Sequence, residues 1–328
     1  MKKIAVNGFG RIGKCVTRAL LGSNQLTVVN SNKLSPQNAA YMLKYDSTHG
    51  KLERDITYDS DSIIYGDHKI KISSETNIDN MTWDGVDIVL ECSGVFNSKA
   101  QSYKHIINGA KTVIVSAPCE GADHTVILGV NQMPDDISGK VISLGSCTTN
   151  ALAHIVKPLH KAFTITSAFM TTVHAYTNDQ SLLDSRHTDP RRGRAAESSI
   201  IPTSTGAAKM IGDIIPELKG KIDGIAVRVP VQNVSMIDLT FTAEKSPSED
   251  DINRLMKEIS QEIPGILGYS EEPLVSIDFN HTKYSAVFDG TQTRVSGNKL
   301  FRVVAWYDNE WGFASRMVDM CNFCLVEK

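Results

Sequence analysis

The sequence predicts an α/β chain in two parts: a doubly wound parallel sheet over the first half, then an α+β region with a mainly antiparallel sheet. Three observations carry this. Short apolar runs alternate with helical patterns from residue 3 to about residue 150, the signature of parallel strands joined by helical crossovers. Three glycines, Gly8, Gly10 and Gly13, crowd the first strand-to-helix turn. Beyond Asn150 the pattern changes to longer strands such as residues 225–230 and 234–242.

Taken in order, Lys3, Ile4, Ala5, Val6 and Asn7 read as a buried strand. Ile12, Val16, Ala19 and Leu20 then recur at helical spacing, so a helix is expected to open at Gly13. Together these flanks turn Gly8-Phe9-Gly10-Arg11-Ile12-Gly13 into a dinucleotide-binding fingerprint. The first glycine permits the tight turn, the second lets backbone approach a pyrophosphate, and the third allows close helix–strand packing. Arg11 and Ile12 lie where the helix N-terminus offers an anion site. Further strands are expected over residues 26–30, 87–92 and 112–116, with a helix over 100–110. Ser93 and Ser116 follow strand ends directly, where ligands bind in open sheets. In the second part, His174 lies in the β-branched run of residues 171–177, and Ser248 is placed to cap a helix over 249–263. Residues 178–202 are polar, rich in arginine and without period, and a loop of that length is usually functional or an interface element. A last helix is expected over 313–325.

Bulk properties fit an enzyme with two cores. The chain has 328 residues, 41% hydrophobic and 22% charged, with net charge −3, which gives no reason to expect nucleic acid or membrane as partner. No run approaches the apolar length of a membrane span, and the N-terminus leads straight into a strand, not a signal peptide. The six cysteines are scattered as reduced thiols would be, so a cytoplasmic location is expected. Cys321 and Cys324 are the only close pair and have no second pair for zinc.

The chemistry centres on Ser146-Cys147-Thr148-Thr149-Asn150. Residues 140–144 read as a strand and a helix is expected from Ala151 on, so Cys147 sits at a helix start. The helix dipole and free N–H groups there favour thiolate over thiol. A cysteine so placed, with His174 on a strand, is the minimum equipment for covalent thiol chemistry with an acid/base partner.

Seven segments in one order then identify a resemblance. Asn7-Gly-Phe-Gly-Arg-Ile-Gly13, Lys44-Tyr-Asp-Ser-Thr-His-Gly50, Ser146-Cys-Thr-Thr-Asn150, His174-Ala-Tyr-Thr-Asn-Asp-Gln180, Arg191-Arg-Gly-Arg-Ala-Ala196, Pro202-Thr-Ser-Thr-Gly-Ala-Ala-Lys209 and Trp306-Tyr-Asp-Asn-Glu-Trp-Gly312 resemble the phosphorylating glyceraldehyde-3-phosphate dehydrogenases, from Ile4 to about residue 320. The resemblance implies a dinucleotide-binding domain over residues 1–147 and 311–328, a catalytic domain over 148–310, and a homotetramer. It implies that Cys147 attacks the aldehyde to give a thiohemiacetal, and that His174 raises its thiolate fraction and takes the hydroxyl proton as hydride leaves for NAD(P). Inorganic phosphate then cleaves the resulting thioester to 1,3-bisphosphoglycerate, in glycolysis or gluconeogenesis. On the same basis Thr177, Asp179 and Arg228 hold the substrate's phosphate, Asp179 by orienting the arginine. Ser146, Thr148, Thr205 and Gly206 hold the attacking phosphate, and Asn309 the nicotinamide carboxamide. No metal is implied.

Three departures stand out. Ala151 replaces a second cysteine four residues after the nucleophile, which removes a local disulfide partner against over-oxidation. The second strand ends Val28-Val29-Asn30-Ser31-Asn32-Lys33, without the aspartate that grips the ribose 2′-hydroxyl in NAD-specific relatives. Asn32 takes the acid's place, or Ser31 if the alignment shifts by one. Ser185-Arg186 stands where NAD-preferring relatives show Leu-Pro. Losing a carboxylate and gaining Arg186 welcomes a 2′-phosphate, so NADP use at least comparable with NAD is expected. The enzymatic rival is an erythrose-4-phosphate dehydrogenase, toward which residues 275–281 and 289–297 lean; Tyr176-Thr177-Asn178 and Ser204-Thr205-Gly206 favour the triose phosphate. A Cys/His thiol acyl-hydrolase is the rival of another class, and the glycine fingerprint and Asn309 argue against it. A binding or adhesion role without catalysis has no feature that predicts it.

Overall fold

A computed structural model describes residues 2–325. The chain divides into two compact units, one of residues up to 128, 132–146 and from 314 on, the other of residues 129–131 and 147–313.

In the first unit, a nine-stranded sheet runs in the order His124–Thr125, Val141–Ser143, Thr112–Val115, Ile88–Glu91, Ile4–Asn7, Leu26–Asn30, His68–Ser73, Ser62–Tyr65 and Ile56–Tyr58. The first seven pair in parallel and the last two join antiparallel. Ile4–Asn7, Ile88–Glu91 and Thr112–Val115 are buried at every position, which is why they read as unbroken apolar runs rather than alternating ones. Ala5, Val89, Val113, Val115 and Val141 pack on Ile78, Met81, Trp83, Val86 and Ala110 to form a core on one face.

Two expectations for this unit are corrected. The first helix is Arg11–Leu20, two residues earlier than Gly13, because extended Gly10 is its N-cap and accepts the first turn's bond from Lys14 N at 3.0 Å. The helix expected over 100–110 is two single turns, Lys99–Ser102 and Lys104–Ile107. Bonds of the tighter i→i+3 kind, from Ile106 N to Tyr103 O and from Gly109 N to Ile106 O, break it up. His105, in the second turn, is fully buried, and there Trp83 Nε1 donates to its Nδ1 at 3.0 Å and its Nε2 lies 2.9 Å from Glu91 Oε2.

The second unit is built on an eight-stranded sheet, ordered Ile201–Ser204, Ile222–Val229, Ile165–Ala175, Ser235–Ala243, Leu300–Tyr307, Ala286–Asp289 and Leu267–Ser270, with Arg294–Ser296 beside Leu300–Tyr307. Most pairs are antiparallel, as expected, but two run in parallel: Ile165–Ala175 with Ile222–Val229, and Leu267–Ser270 with Ala286–Asp289. Along Ser235–Ala243 burial alternates residue by residue, the mark of a sheet with one covered face. Helix Glu249–Glu262 starts at a capping box in which Ser248 and Asp251 each accept from the other's backbone N–H. No helix among the described residues is long and apolar enough to cross a membrane.

Candidate active site

The parallel pairing of Ile165–Ala175 with Ile222–Val229 sets the catalytic geometry. Its register puts His174 opposite Arg228 and Ala175 opposite Val229. Cys147 is the first residue of the 17-residue helix Cys147–Phe163, so the helix starts at the nucleophile, four residues before the expected Ala151. Cys147 Sγ lies 3.7 Å from His174 Nε2. His174 Nδ1 is 2.6 Å from the Ala175 carbonyl oxygen, to which Arg228 Nη1 donates at 2.9 Å. Beneath them, the Tyr307 hydroxyl bonds Thr148 Oγ1 at 2.9 Å and Thr172 Oγ1 at 2.8 Å. Its ring meets the imidazole edge-on, centroids 5.9 Å apart. Tyr307 thus ties the helix start to the histidine strand, a role that no sequence motif signalled.

Electrostatics corrects one expectation. Burial pushes the Cys147 thiol up, and the opposing pull of Arg228 and of Thr148's hydroxyl and N–H does not overcome it. Burial, then the Arg228 charge, pushes His174 down to about 3. Burial is the largest of these causes and disfavours the charged thiolate despite the helix start. Thiol and neutral imidazole face each other at rest.

The residues expected to hold phosphate fall into distinct sets. Thr148 and Arg228 join the Cys147–His174 group. Asp179 does not pair with Arg228; it meets Arg192 Nη1 at 2.7 Å and His187 Nε2 at 3.5 Å. The arginine it orients is Arg192, further fixed by Nε donating to Thr203 Oγ1 at 2.8 Å and Nη2 to the Ser204 carbonyl at 3.3 Å. Arg192 was missed as a site residue, although the arginine-rich loop was the signal. Thr205 Oγ1 accepts from Ala207 N at 3.2 Å, and Gly206 is the N-cap of helix Ala207–Ile214, with no side-chain cap and no atom within 4 Å of where a Cβ would stand. Backbone N–H groups there are open to an anion. Thr177 is half-buried beyond the His174 strand, and Ser146 is half-buried directly before Cys147.

Two of the fingerprint glycines, Gly8 and Gly10, line a cleft in the first unit. Gly8 has φ +99°, and a Cβ on it would meet Ser93 N at 2.4 Å; one on Gly13 would meet the Gly8 carbonyl oxygen at 1.9 Å. Gly10 faces open space, the approach a pyrophosphate needs. With the Arg11–Leu20 helix uncapped by any side chain, the chain fits a dinucleotide's anionic centre. Arg11 serves this through backbone, because its guanidinium grips Asp46 with bonds of 2.7 and 3.0 Å. Although burial pushes Asp46 up, Arg11, Lys14 and two backbone N–H groups hold it well below the usual carboxylate range. Ile12 is half-buried in that helix's first turn. The cavity, about 270 Å³, is also lined by Ser31, Asn32 and Ser93. Ser31 Oγ accepts from Phe9 N at 3.2 Å, so it is spent on the glycine turn, whereas Asn32 is exposed. Ser93 donates from N and Oγ to buried Glu91, at 2.7 and 2.5 Å, and Asn7 Nδ2 donates to the same carboxylate at 2.6 Å. Ser116 is held by its N–H on the Glu91 carbonyl at 2.9 Å. In the second unit, Asn309 is buried and its Oδ1 accepts from Ser235 Oγ at 2.9 Å, while Arg186 is exposed on the polar loop.

Comparison with known proteins follows these divisions. Residues 2–99 match the family model described as "Glyceraldehyde 3-phosphate dehydrogenase, NAD binding domain", and residues 146–309 match "Glyceraldehyde 3-phosphate dehydrogenase, C-terminal domain". The chain is 45% identical over 321 residues to a glyceraldehyde-3-phosphate dehydrogenase of Cereibacter sphaeroides, covering 97% of this chain and 96% of that one. It is 47% identical over 323 residues to one of Xanthobacter flavus, with coverage of 97% and 96%. Against one of Geobacillus stearothermophilus it is 46% identical over 326 residues, covering 98% and 97%.

Proposed function

The chain belongs to the glyceraldehyde-3-phosphate dehydrogenase family, and on that premise we propose that it oxidises D-glyceraldehyde 3-phosphate, with inorganic phosphate, to 1,3-bisphosphoglycerate. The observation that carries this is the Cys147–His174 pair at 3.7 Å, flanked by the half-buried Arg228. Bound oxidised nicotinamide supplies a hydride acceptor. The chain's own residues do the rest. As sulfur bonds to the aldehyde carbon, His174 Nε2 takes the thiol proton and passes it to the aldehyde oxygen, giving a thiohemiacetal. The same nitrogen takes the hydroxyl proton when that carbon is oxidised to the thioester. Arg228, beside His174, receives the substrate's phosphate with Thr177 and with Asp179, which acts through Arg192. Ser146, Thr148, Thr205 and Gly206 cradle the attacking phosphate, whose oxygen displaces Cys147 from the acyl carbon.

The cofactor is held by the glycine turn with Ser93 and Ser116, while Asn309 is assigned to the nicotinamide carboxamide and Arg186 to a 2′-phosphate. With Asn32 where relatives carry an acid, NADP is used at least comparably with NAD. The working form is a cytoplasmic homotetramer. Exposed Phe169, Ile225 and Leu300 on the second unit's sheet, with Leu182 and Leu183 on the polar loop, support burial against further copies of the chain.

A steady-state assay crossing glyceraldehyde 3-phosphate and erythrose 4-phosphate, NAD and NADP, and phosphate present or absent tests this reading. Nicotinamide reduction that needs both the triose phosphate and inorganic phosphate is the expected result. Faster turnover of erythrose 4-phosphate without phosphate would transfer the assignment to that sugar, and thioester hydrolysis without any change in nicotinamide absorbance would replace a dehydrogenase by an acyl-hydrolase.

A further inference from the structure

Among the side chains lining the dinucleotide cleft, Glu75 is the only ionisable one. Its place follows from sheet register. Leu26–Asn30 and His68–Ser73 pair in parallel as Val28↔Lys71, Val29↔Ile72 and Asn30↔Ser73, and Ser31 N extends the ladder by donating to the Ser73 carbonyl at 3.0 Å. Two residues past the last pair on each strand stand Asn32, in a turn, and Glu75, and both line the cleft. The Glu75 backbone is pinned there by the buried Asn30 amide, whose Oδ1 accepts from Glu75 N at 2.9 Å and whose Nδ2 donates to Glu75 O at 3.0 Å. The same Nδ2 donates to Asn7 Oδ1 at 2.7 Å, at the head of the glycine turn. Glu75 Oε1 accepts from Thr76 N and Asn77 N, both at 2.8 Å, and no cation pairs with the carboxylate among the described residues.

We propose that Glu75 is the specificity-determining carboxylate of this cleft, acting on the adenosine ribose from the strand next to the one where the usual acid is missing. Its negative charge opposes a 2′-phosphate and leaves a 2′-hydroxyl unopposed, so NAD stays in use beside NADP. The proposal rests on the reading of this cleft as the adenosine half of the dinucleotide site.

Glu75→Gln keeps the oxygen that accepts from Thr76 and Asn77 and removes the charge. Dissociation constants for NAD and NADP, measured by calorimetry on the intact enzyme, should shift in ratio toward NADP by about three- to fivefold, the worth of one partly exposed charge pair. The shift should shrink in high salt, as screening requires. Glu75→Asp should keep the wild-type preference. Thr76→Lys places a cation beside an untouched carboxylate and should move the ratio in the same direction as Glu75→Gln. A wild type that binds no NADP, with a Glu75→Gln variant that does, removes dual use but upholds the role of Glu75. An unchanged ratio in both Glu75→Gln and Thr76→Lys, or equal weakening of both cofactors, overturns it.

Discussion

Arg228 Nη1 lies 2.5 Å from His174 Nδ1 while also donating to the Ala175 carbonyl that Nδ1 faces. A guanidinium only donates, so the imidazole has two arrangements. With Nδ1–H bonded to Ala175, Nε2 is a lone pair that accepts the Cys147 thiol proton. With Nδ1 accepting from Arg228, Nε2–H donates toward a thiolate or a developing oxyanion. The neighbour that lowers the imidazole's basicity also offers it a second tautomer, and a phosphate drawn to Arg228 would offset the positive charge that holds His174 down.

His174→Asn should therefore lower turnover by roughly 10²–10⁴, the usual worth of a positioned general base. Cofactor affinity, which depends on other residues, should stay near wild type. Stopped-flow turnover beside calorimetric cofactor binding checks both; a variant with near-normal turnover removes His174 from the chemistry.

Cys147 should be alkylated before the other cysteines near neutral pH. Burial pushes Cys92 up to about 12 and Cys119 and Cys324 to about 11, with Cys321 well above its ordinary value, and Cys15 is fully buried. Cys147 is raised too, but Arg228 and Thr148 pull it back and its residue keeps some exposure. Since the thiol rather than the thiolate dominates at rest, its labelling rate should climb with pH through neutrality without a plateau. Limited iodoacetamide labelling with peptide mapping reads this, and early labelling of Cys119 with activity retained would contradict it.

The depressed His174 also predicts how stability depends on pH. Its folded value of about 3 lies below the ordinary 6.5, so between those values the unfolded chain binds a proton that the native chain refuses. Stability contributed by neutral His174 is fully present above 6.5 and is lost as pH falls toward 3. His174→Asn should flatten the acid loss of stability by about one proton's worth of slope, seen in urea unfolding at a series of pH values. Parallel curves for the two proteins would show that His174 titrates normally.

Much of this was legible beforehand because local chemistry and global fold agree. The glycine turn, the Leu26–Asn30 strand and the Ser248 cap each follow from short-range rules, and the structure places them within a residue or two. The misses are tertiary. No period in residues 100–110 reveals that His105 is claimed by Glu91 and Trp83, or that i→i+3 bonds interrupt the helix there. The resemblance sets Asp179 beside Arg228, whereas Arg192 reaches it along a loop with no period at all. Cys147 sits at a helix start as the sequence implies, yet its charge state is decided by burial, which sequence spacing does not record.

The two phosphate sets should separate kinetically. Arg228→Ala should raise the substrate KM and cut kcat/KM by roughly tenfold or more, since a charge-assisted contact is worth roughly 1.5–3 kcal/mol. Arg192→Ala, which leaves Asp179 only His187 as a partner, should do the same. Thr205→Ala should instead weaken dependence on inorganic phosphate more than on aldehyde. Equal changes in one kinetic constant for all three would merge the two sites into one.

Cofactor choice carries the most exposed prediction. Asn32 stands at the rim of the cleft, while the one alternative, Ser31, is committed to Phe9 N. Losing a carboxylate–ribose bond at residue 32 should cost NAD binding roughly 1.5–3 kcal/mol, and the same loss lifts the repulsion of a 2′-phosphate. Asn32→Asp should accordingly improve kcat/KM for NAD and depress it for NADP. Arg186→Pro should depress NADP use alone, because exposed Arg186 has only a phosphate to gain from. If the proposed homotetramer brings the two residues to one cofactor from different copies, mixed tetramers of the single variants should recover part of the wild-type preference. A wild type inactive with NADP at millimolar concentration would leave the missing acid at residue 32 compensated elsewhere in the cleft, where Glu75 is the one carboxylate available.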